Sequence, residues 1–421
     1  MRYLRHLLPI PIAILAALYF SFVYPLHDPH PKLVFPDTTL AIRDARVYIT
    51  PDSDAIEHAN VLVRNGVIVG VGADVAIPQN TQILECPNCT VTAGFWNSHV
   101  HFTETKWDFS AYKSADTLNE QLADMLTSRG FTTVADLSSD IRQVVSLRRR
   151  IEAGDLKGPA IYTAGSGIFP PHGIPYYLNS MPLFLRWLMP QPETPQAAEK
   201  IVESNIARGA DILKLFTGSI VERHRVLPMP LDIASAAVNV AHRHGQLAFA
   251  HPSNLAGTKV AIDSGVDVLA HAPSVPDGID DALLQSVIRH KMSMMPTLKM
   301  FATTASTDPK FLDPIYDIVR RYHALGGDLV FGTDVGYMED YSTEDEFQAL
   351  AKSGLNSRDI LRMLTVAPAA RFKVDAQRGT VAPGKMADLV VLDGDPASDV
   401  AVFARVRFTV RNGRVIYERS K

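Results

Sequence analysis

Short apolar runs separated by amphipathic stretches dominate the middle of the chain, and this alternation limits the folds open to it. The runs are "VTAGFWNSHVHF", "FTTVADL", "PAIYTAGSGIF", "ADILKLF", "QLAFAH", "VDVLAH", "MSMMPTL" and "DLVFGTDVG", eight in all. Stretches such as "TLNEQLADMLTSRG" and "PLDIASAAVNVAHRHG" lie between them with helical spacing of their apolar residues. Strand and helix in strict alternation build parallel sheet, and eight such units fit an α/β (β/α)8 TIM barrel over residues 93–375. A doubly wound sheet is the alternative, but no glycine-rich phosphate loop follows the first strand.

The two ends read differently. "NVLVRNGVIVGVG" alternates and turns at Asn65-Gly66, and "RFTVRNGRVIYE" repeats the device at Asn412-Gly413. Residues 31–92 and 376–421 are therefore expected to pair as one small β-sandwich built from both chain ends. Cys86 and Cys89, in "ECPNCT", are the only 2 cysteines. With no second pair, a zinc site of four cysteines is excluded, whereas a local disulfide and two free thiols both stay open.

Residues 1–30 stand outside this scheme. "MRYLRH" is basic, and residues 7–26 carry no charge over a length that can just span a bilayer. The basic flank should stay in the cytoplasm, so the rest would be exported, periplasmic in a Gram-negative cell. No small-x-small cleavage site follows, which favours an uncleaved signal anchor over a removed signal peptide. Pro9 and Pro11 argue against a buried core helix.

The 421 residues are 47% hydrophobic, enough for a large core, and net charge is −4. There is no basic patch with interleaved aromatics, so a small molecule rather than nucleic acid is the expected partner. Self-association into a homo-oligomer is left open.

Chemistry-bearing side chains recur where the barrel strands end. His99 and His101 close the first strand and, two residues apart, share one face. Lys214 lies in the fourth, His251 and His271 end the fifth and sixth, and Asp334 follows the eighth. Each has an ordinary reading: a snorkelling lysine, a loop or capping histidine, a turn aspartate. Their joint placement at the catalytic end of a barrel is what points to a metal site.

With these motifs the chain resembles the amidohydrolase superfamily of metal-dependent hydrolases, most closely its imidazolonepropionase-like and prolidase-like members. The resemblance covers nearly everything after residue 38, including the return "RGTVAPGKMADLVVLDGDP". It implies a carboxylated Lys214 bridging two divalent ions, zinc by default, or one ion if Lys214 stays unmodified. It also implies that His99, His101 and Asp334 serve the first ion and His251 and His271 the second. A buried lysine has a lowered pKa and presents a neutral amine, which carbon dioxide can convert to a carbamate. Asp334 is expected to carry the catalytic proton.

Two positions depart from the family pattern. Asn97-Ser98 precede His99 where an aspartate is common, and "PPHG" replaces a Gly-Gly-His-Gly loop. His172 in that loop is carried over as a substrate contact.

The expected activity is hydrolysis of an amide-type C–N bond in a dipeptide, an N-acyl amino acid or a cyclic amide. The alternatives are a lactonase or phosphotriesterase with the same centre, or a non-catalytic, membrane-anchored binding protein. An insert, "IPYYLNSMPLFLRWLMPQPETP", should overhang the mouth. It reads as a lid, as a patch for the membrane surface, or as a loop packed on the barrel.

Overall fold

A computed structural model describes residues 39–304 and 308–419 of the chain. The proposed anchor at residues 7–26 lies outside the described residues. Among the described residues, no helix is long and apolar enough to cross a membrane.

The first strands are β1 (Thr39–Val47), β2 (Ile56–Arg64), β3 (Val67–Gly72), β4 (Gln82–Glu85) and β5 (Cys89–Ala93). Eight parallel barrel strands and one hairpin follow. These are β6 (Phe95–Val100), β7 (Phe131–Asp136), β8 (Ala160–Thr163), β9 (Ile212–Leu215), the hairpin β10 (Gly218–Glu222) and β11 (Arg225–Pro228), β12 (Leu247–Ala250), β13 (Val268–Ala270), β14 (Ser293–Met295) and β15 (Asp328–Leu329). The chain returns through β16 (Leu389–Asp393), β17 (Val406–Arg411) and β18 (Arg414–Glu418).

The barrel strands form a parallel set β6-β7-β8 and a parallel set β9-β12-β13-β14-β15. Segments beyond the strand ends join the two. Ile168 N donates to Lys214 O and Phe216 N to Ile168 O, both at 2.9 Å, on one side. On the other, His101 N donates to Val335 O at 2.8 Å and Asp334 N to His99 O at 2.9 Å. The result is an α/β domain of the TIM-barrel type. Alternation along β9 shows how its faces are used. Leu213 and Leu215 join the core shared with the helices, Ile212 joins the interior cluster, and Lys214 has the inward parity of Ile212.

Helices between the strands start at side-chain caps, each satisfying an amide that the first turn leaves unpaired. Ser114 accepts from Thr117 N and Asp280 from Leu283 N, and Asn356 with Asp359 forms a full capping box.

The chain ends do combine, but the expected sandwich is one continuous eight-stranded sheet, β18-β17-β16-β5-β1-β2-β3 with β4 also on β1. The cause is an irregularity between Ile42 and Ala45, where Asp44 takes φ 57°. Residues before it pair with β4, and Arg46 and Val47 after it pair with β5. The sheet curls over its own apolar core of Ile42, Val61, Val91, Val391 and Val410. Cys86 and Cys89 border this core, both buried, and are joined as a disulfide.

The two Asn-Gly turns meet. Gly413 N donates to Ala387 O at 3.0 Å, and Ala387 N donates to Gly66 O at 2.8 Å. A Cβ on Gly413 would lie 2.9 Å from the Gly66 Cα, and its φ is 75°. Arg378 pairs with buried Asp388, which accepts from Asn412 N at 2.8 Å and so fixes the same turn.

Gly413→Ala should therefore cost more than about 1 kcal/mol in urea unfolding. Gly384→Ala has φ 86° but nothing within 4 Å, so it should cost clearly less. Equal losses would show that the turn-to-turn contact contributes nothing beyond backbone strain.

Candidate metal centre

Five of the six residues at the strand ends are nearly enclosed. His99, Lys214, His251, His271 and Asp334 are 1%, 1%, 8%, 4% and 5% exposed, and His101 is a little more open. One carboxylate joins the histidines. Asp334 Oδ1 lies 2.8 Å from His101 Nε2 and 3.2 Å from His99 Nε2, while Oδ2 faces His271 Nε2 at 3.7 Å. Donor atoms of His99, His271 and Asp334 lie within 4.8 Å of one another. This groups His271 with the first-strand histidine as closely as with His251, whose ring is 4.7 Å away. Lys214 Nζ lies 5.3 Å from the centre of the Phe216 ring, which packs on His251, and its charge acts on His99, His251 and His271.

Neighbouring groups fix which ring nitrogens face inward. His101 Nδ1 is 3.1 Å from Ser138 O. A carbonyl only accepts, so the proton sits on Nδ1 and the Nε2 lone pair points to the centre. His271 Nδ1 is 2.6 Å from Thr297 Oγ1, whose own hydrogen goes to Pro296 O at 2.8 Å. Again Nδ1 must donate and Nε2 is free to ligate. Such outer contacts are what orient metal-binding histidines.

The electrostatics agree. Burial, then the neighbouring Lys214 or His251 charge, holds His99 and His271 well below the ordinary histidine value. Burial with the Lys214 charge pushes His251 down to about 3. These imidazoles are therefore neutral, the form that binds metal. Burial would also lower His101, but the Asp334 carboxylate outweighs it and holds this ring above the usual value. A lone pair and a carboxylate oxygen 2.8 Å apart repel unless a proton or a cation lies between them. Burial pushes Lys214 down to about 7 against the pull of Asp334, which leaves much of the amine neutral near neutral pH. His99 Nδ1 is buried without a hydrogen-bond partner among the described residues, and Asp334 Oδ1, equally buried, faces only the His99 and His101 ring nitrogens. Orphaned donors, neutral imidazoles and one carboxylate fit a divalent cation.

The backbone holds these side chains under strain. His271 has φ 94°, Thr297 φ 49° and Asp334 φ 63°, conformations that non-glycine residues adopt rarely. Gly332 and Gly336 make room: a Cβ on the first would strike Met295 and His99, and on the second the His101 carbonyl.

Asn97, marked in the sequence by its departure from the family pattern, acts together with contributors that carry no signature there. Asn97 accepts from His99 N at 3.2 Å and Thr333 N at 3.1 Å, and donates to Thr333 Oγ1 at 2.7 Å. It thus ties the first ligand strand to the Asp334 segment, a task its neutral amide can do by donating and accepting at once. Asp136, fully buried, accepts from Ser139 and from Thr163 at 2.6 Å and so fixes the loop whose Ser138 orients His101. Thr297 gains its role only because β14 ends beside His271.

His172 is not gathered into this cluster. Its side chain is 88% exposed, and its nearest charged partner is Glu193 at 4.0 Å. In the insert, Leu183, Trp187 and Leu188 are 52%, 73% and 63% exposed, so these are not core. Tyr177, in contrast, turns inward against Tyr337.

Residues 90–416 match the family described as the amidohydrolase family. The chain belongs to that family. An adenine deaminase of Rubrobacter xylanophilus is 22% identical over 393 residues, and the chain spans 90% of itself and 57% of that protein in the match. A prolidase complexed with N-methylphosphonate-L-proline superposes with a TM-score of 0.74 at 23% identity, covering 91% of this chain and 100% of that one. A Xaa-Pro dipeptidase with bound methionine in its active site gives 0.75 at 21% identity, covering 90% and 100%. At these identities the two structures show the shared fold alone.

A divalent ion added to metal-stripped protein should raise Tm by several degrees, since it binds only the folded state. His271→Ala should abolish the rise and His172→Ala should keep it. Equal rises in both variants would place the binding elsewhere.

Proposed function

We propose that this amidohydrolase-family chain is a metal-dependent hydrolase of an amide-type C–N bond, in a dipeptide, an N-acyl amino acid or a cyclic amide. The observation that carries the reading is Asp334, placed between His101 on one side and His271 on the other through its two oxygens. His99, His101, His251, His271, Asp334 and Lys214 would hold one or two divalent ions, two if Lys214 is carboxylated, with zinc the default for such donors. Ions bound there would activate water and polarise the scissile carbonyl.

The chain's own residues supply the rest. Asp334, buried and aimed at the cluster, accepts the proton of the attacking water through one oxygen. It then delivers that proton to the nitrogen of the departing amine, so one carboxylate serves as base and then acid. His99, His251 and His271, neutral at ordinary pH, leave their ring nitrogens free to ligate. The lowered Lys214 amine is in the form that adds carbon dioxide and loses a proton, gaining the two oxygens that a bridge needs.

Asp334→Asn should lower kcat roughly 10²–10⁴-fold with a smaller change in KM, because the amide cannot take the water's proton. Near-normal turnover would assign the base elsewhere. At fixed dissolved carbon dioxide, metal-stripped protein should recover activity faster above pH about 7 than below it, since the neutral amine grows through that range. Lys214→Ala should not recover, and acetate should partly restore it. Recovery indifferent to carbon dioxide would remove the carbamate from the account.

A lactone or phosphotriester substrate is the second reading, since activated water suits both. The test is a screen of dipeptides, N-acyl amino acids and lactones against metal-loaded protein. Turnover of esters with none of amides would reverse the order.

A further inference from the structure

Aromatic rings lie beside His251, beside His271 and on the turn that follows Asp334. Phe216 lies flat against the His251 ring at 5.2 Å and is backed by Phe169 at 4.2 Å. Phe301 meets the His271 ring edge-on at 5.8 Å. Beside Asp334 stands Tyr337, three residues on, held by a turn in which its N–H donates to Asp334 O at 3.2 Å. The fourth element comes from the insert. Its short turn Tyr176–Leu178 brings Tyr177 edge-on to Tyr337, with ring centres 5.8 Å apart. Tyr176 in turn packs against Tyr177 at 5.9 Å.

Tyr177 differs from the exposed part of the insert. Trp187 and Leu188 face solvent, whereas the Tyr177 ring packs against Tyr176 and against Tyr337, which stands on the turn that follows Asp334. A phenol is protonated at neutral pH, so the Tyr177 hydroxyl is a hydrogen-bond donor. Around Lys214 and His251 the acting charges come from the cluster itself. The collar offers polarisable ring surface together with the phenolic donors of Tyr177 and Tyr337.

We propose that Tyr177 is a specificity-determining residue. Its ring, with Tyr337, Phe216 and Phe301, takes a bulky neutral group, aromatic or branched apolar, next to the scissile bond, and its hydroxyl donates to a polar atom of the substrate beside Asp334. The substrate class this selects is an amide with an aryl or large apolar acyl group, in preference to small or charged ones. Ring-on-ring contact and the burial of such a group supply the discrimination. The inference rests on the C–N hydrolase reading, but it concerns the collar and not the metal ligands.

The experiment compares N-phenylacetyl and N-acetyl derivatives of the same amino acid with the metal-loaded full chain, Tyr177→Phe and Tyr177→Ala. Metal content and near-ultraviolet dichroism are checked for each. Wild type should favour the phenylacetyl substrate in kcat/KM. Tyr177→Phe keeps the ring, so the preference should persist while kcat falls roughly threefold to tenfold for both substrates. Tyr177→Ala should reduce the preference roughly tenfold, mainly through KM of the phenylacetyl substrate. An unchanged preference in Tyr177→Ala with normal metal content would overturn the inference and leave the hydrolase reading intact. If wild type cleaves neither compound, calorimetric binding of the phenylacetyl derivative decides the inference. Binding weakened in Tyr177→Ala supports it, and absent or equal binding overturns it.

Discussion

Closure of the barrel between its first and last strand segments is the contact on which the site depends. Asp334 N donates to His99 O, and His101 N donates to Val335 O. These two hydrogen bonds set residues more than two hundred positions apart into one register. Asn97 reinforces them by clamping His99 N and Thr333 N to a single amide oxygen. Without this seam, Asp334 would face solvent and the histidine pair would have no carboxylate. The strained backbone at His271, Thr297 and Asp334 follows, since each must leave its strand at an angle that aims a side chain inward.

Low polarity around the seam then governs the chemistry. Burial is the largest influence on His99, Lys214, His251 and His271, and in each it disfavours the charged form. Neutral donors around one carboxylate attract a cation far more than they repel it. The same enclosure that makes the apo cluster costly makes it a good ligand set. Ser138 and Thr297 convert this general tendency into orientation, by taking the Nδ1 proton of one ring each.

How much of this could be read in the residues varies with the range of the interaction. The eight strand runs, the two Asn-Gly turns and the ligand-bearing strand ends are local patterns of period two and of turn chemistry, and all lie in the places expected of such elements. The curl of the terminal sheet escaped, because it depends on an irregularity at Asp44 and on which neighbour each half of β1 finds. Asp136, Thr297 and Ser138 escaped because a buried aspartate or a backbone carbonyl becomes an orienting group only once another strand is beside it. His172, expected from its motif position to touch substrate, stands exposed on its loop beside Glu193, outside the histidine and aspartate cluster. The insert was legible as apolar, but only packing separates Tyr177, which turns to the mouth, from Trp187, which does not.

His99, His101, Lys214, His251, His271 and Asp334 are proposed to form one metal centre. Anomalous diffraction from crystals of the metal-loaded protein, collected at the absorption edge of the added ion, tests it directly. The account predicts one or two strong peaks bounded by the His99, His271 and Asp334 donor atoms, with a second peak only where density shows Lys214 extended by a carboxylate. Fully loaded protein whose peaks all lie away from these residues would contradict it.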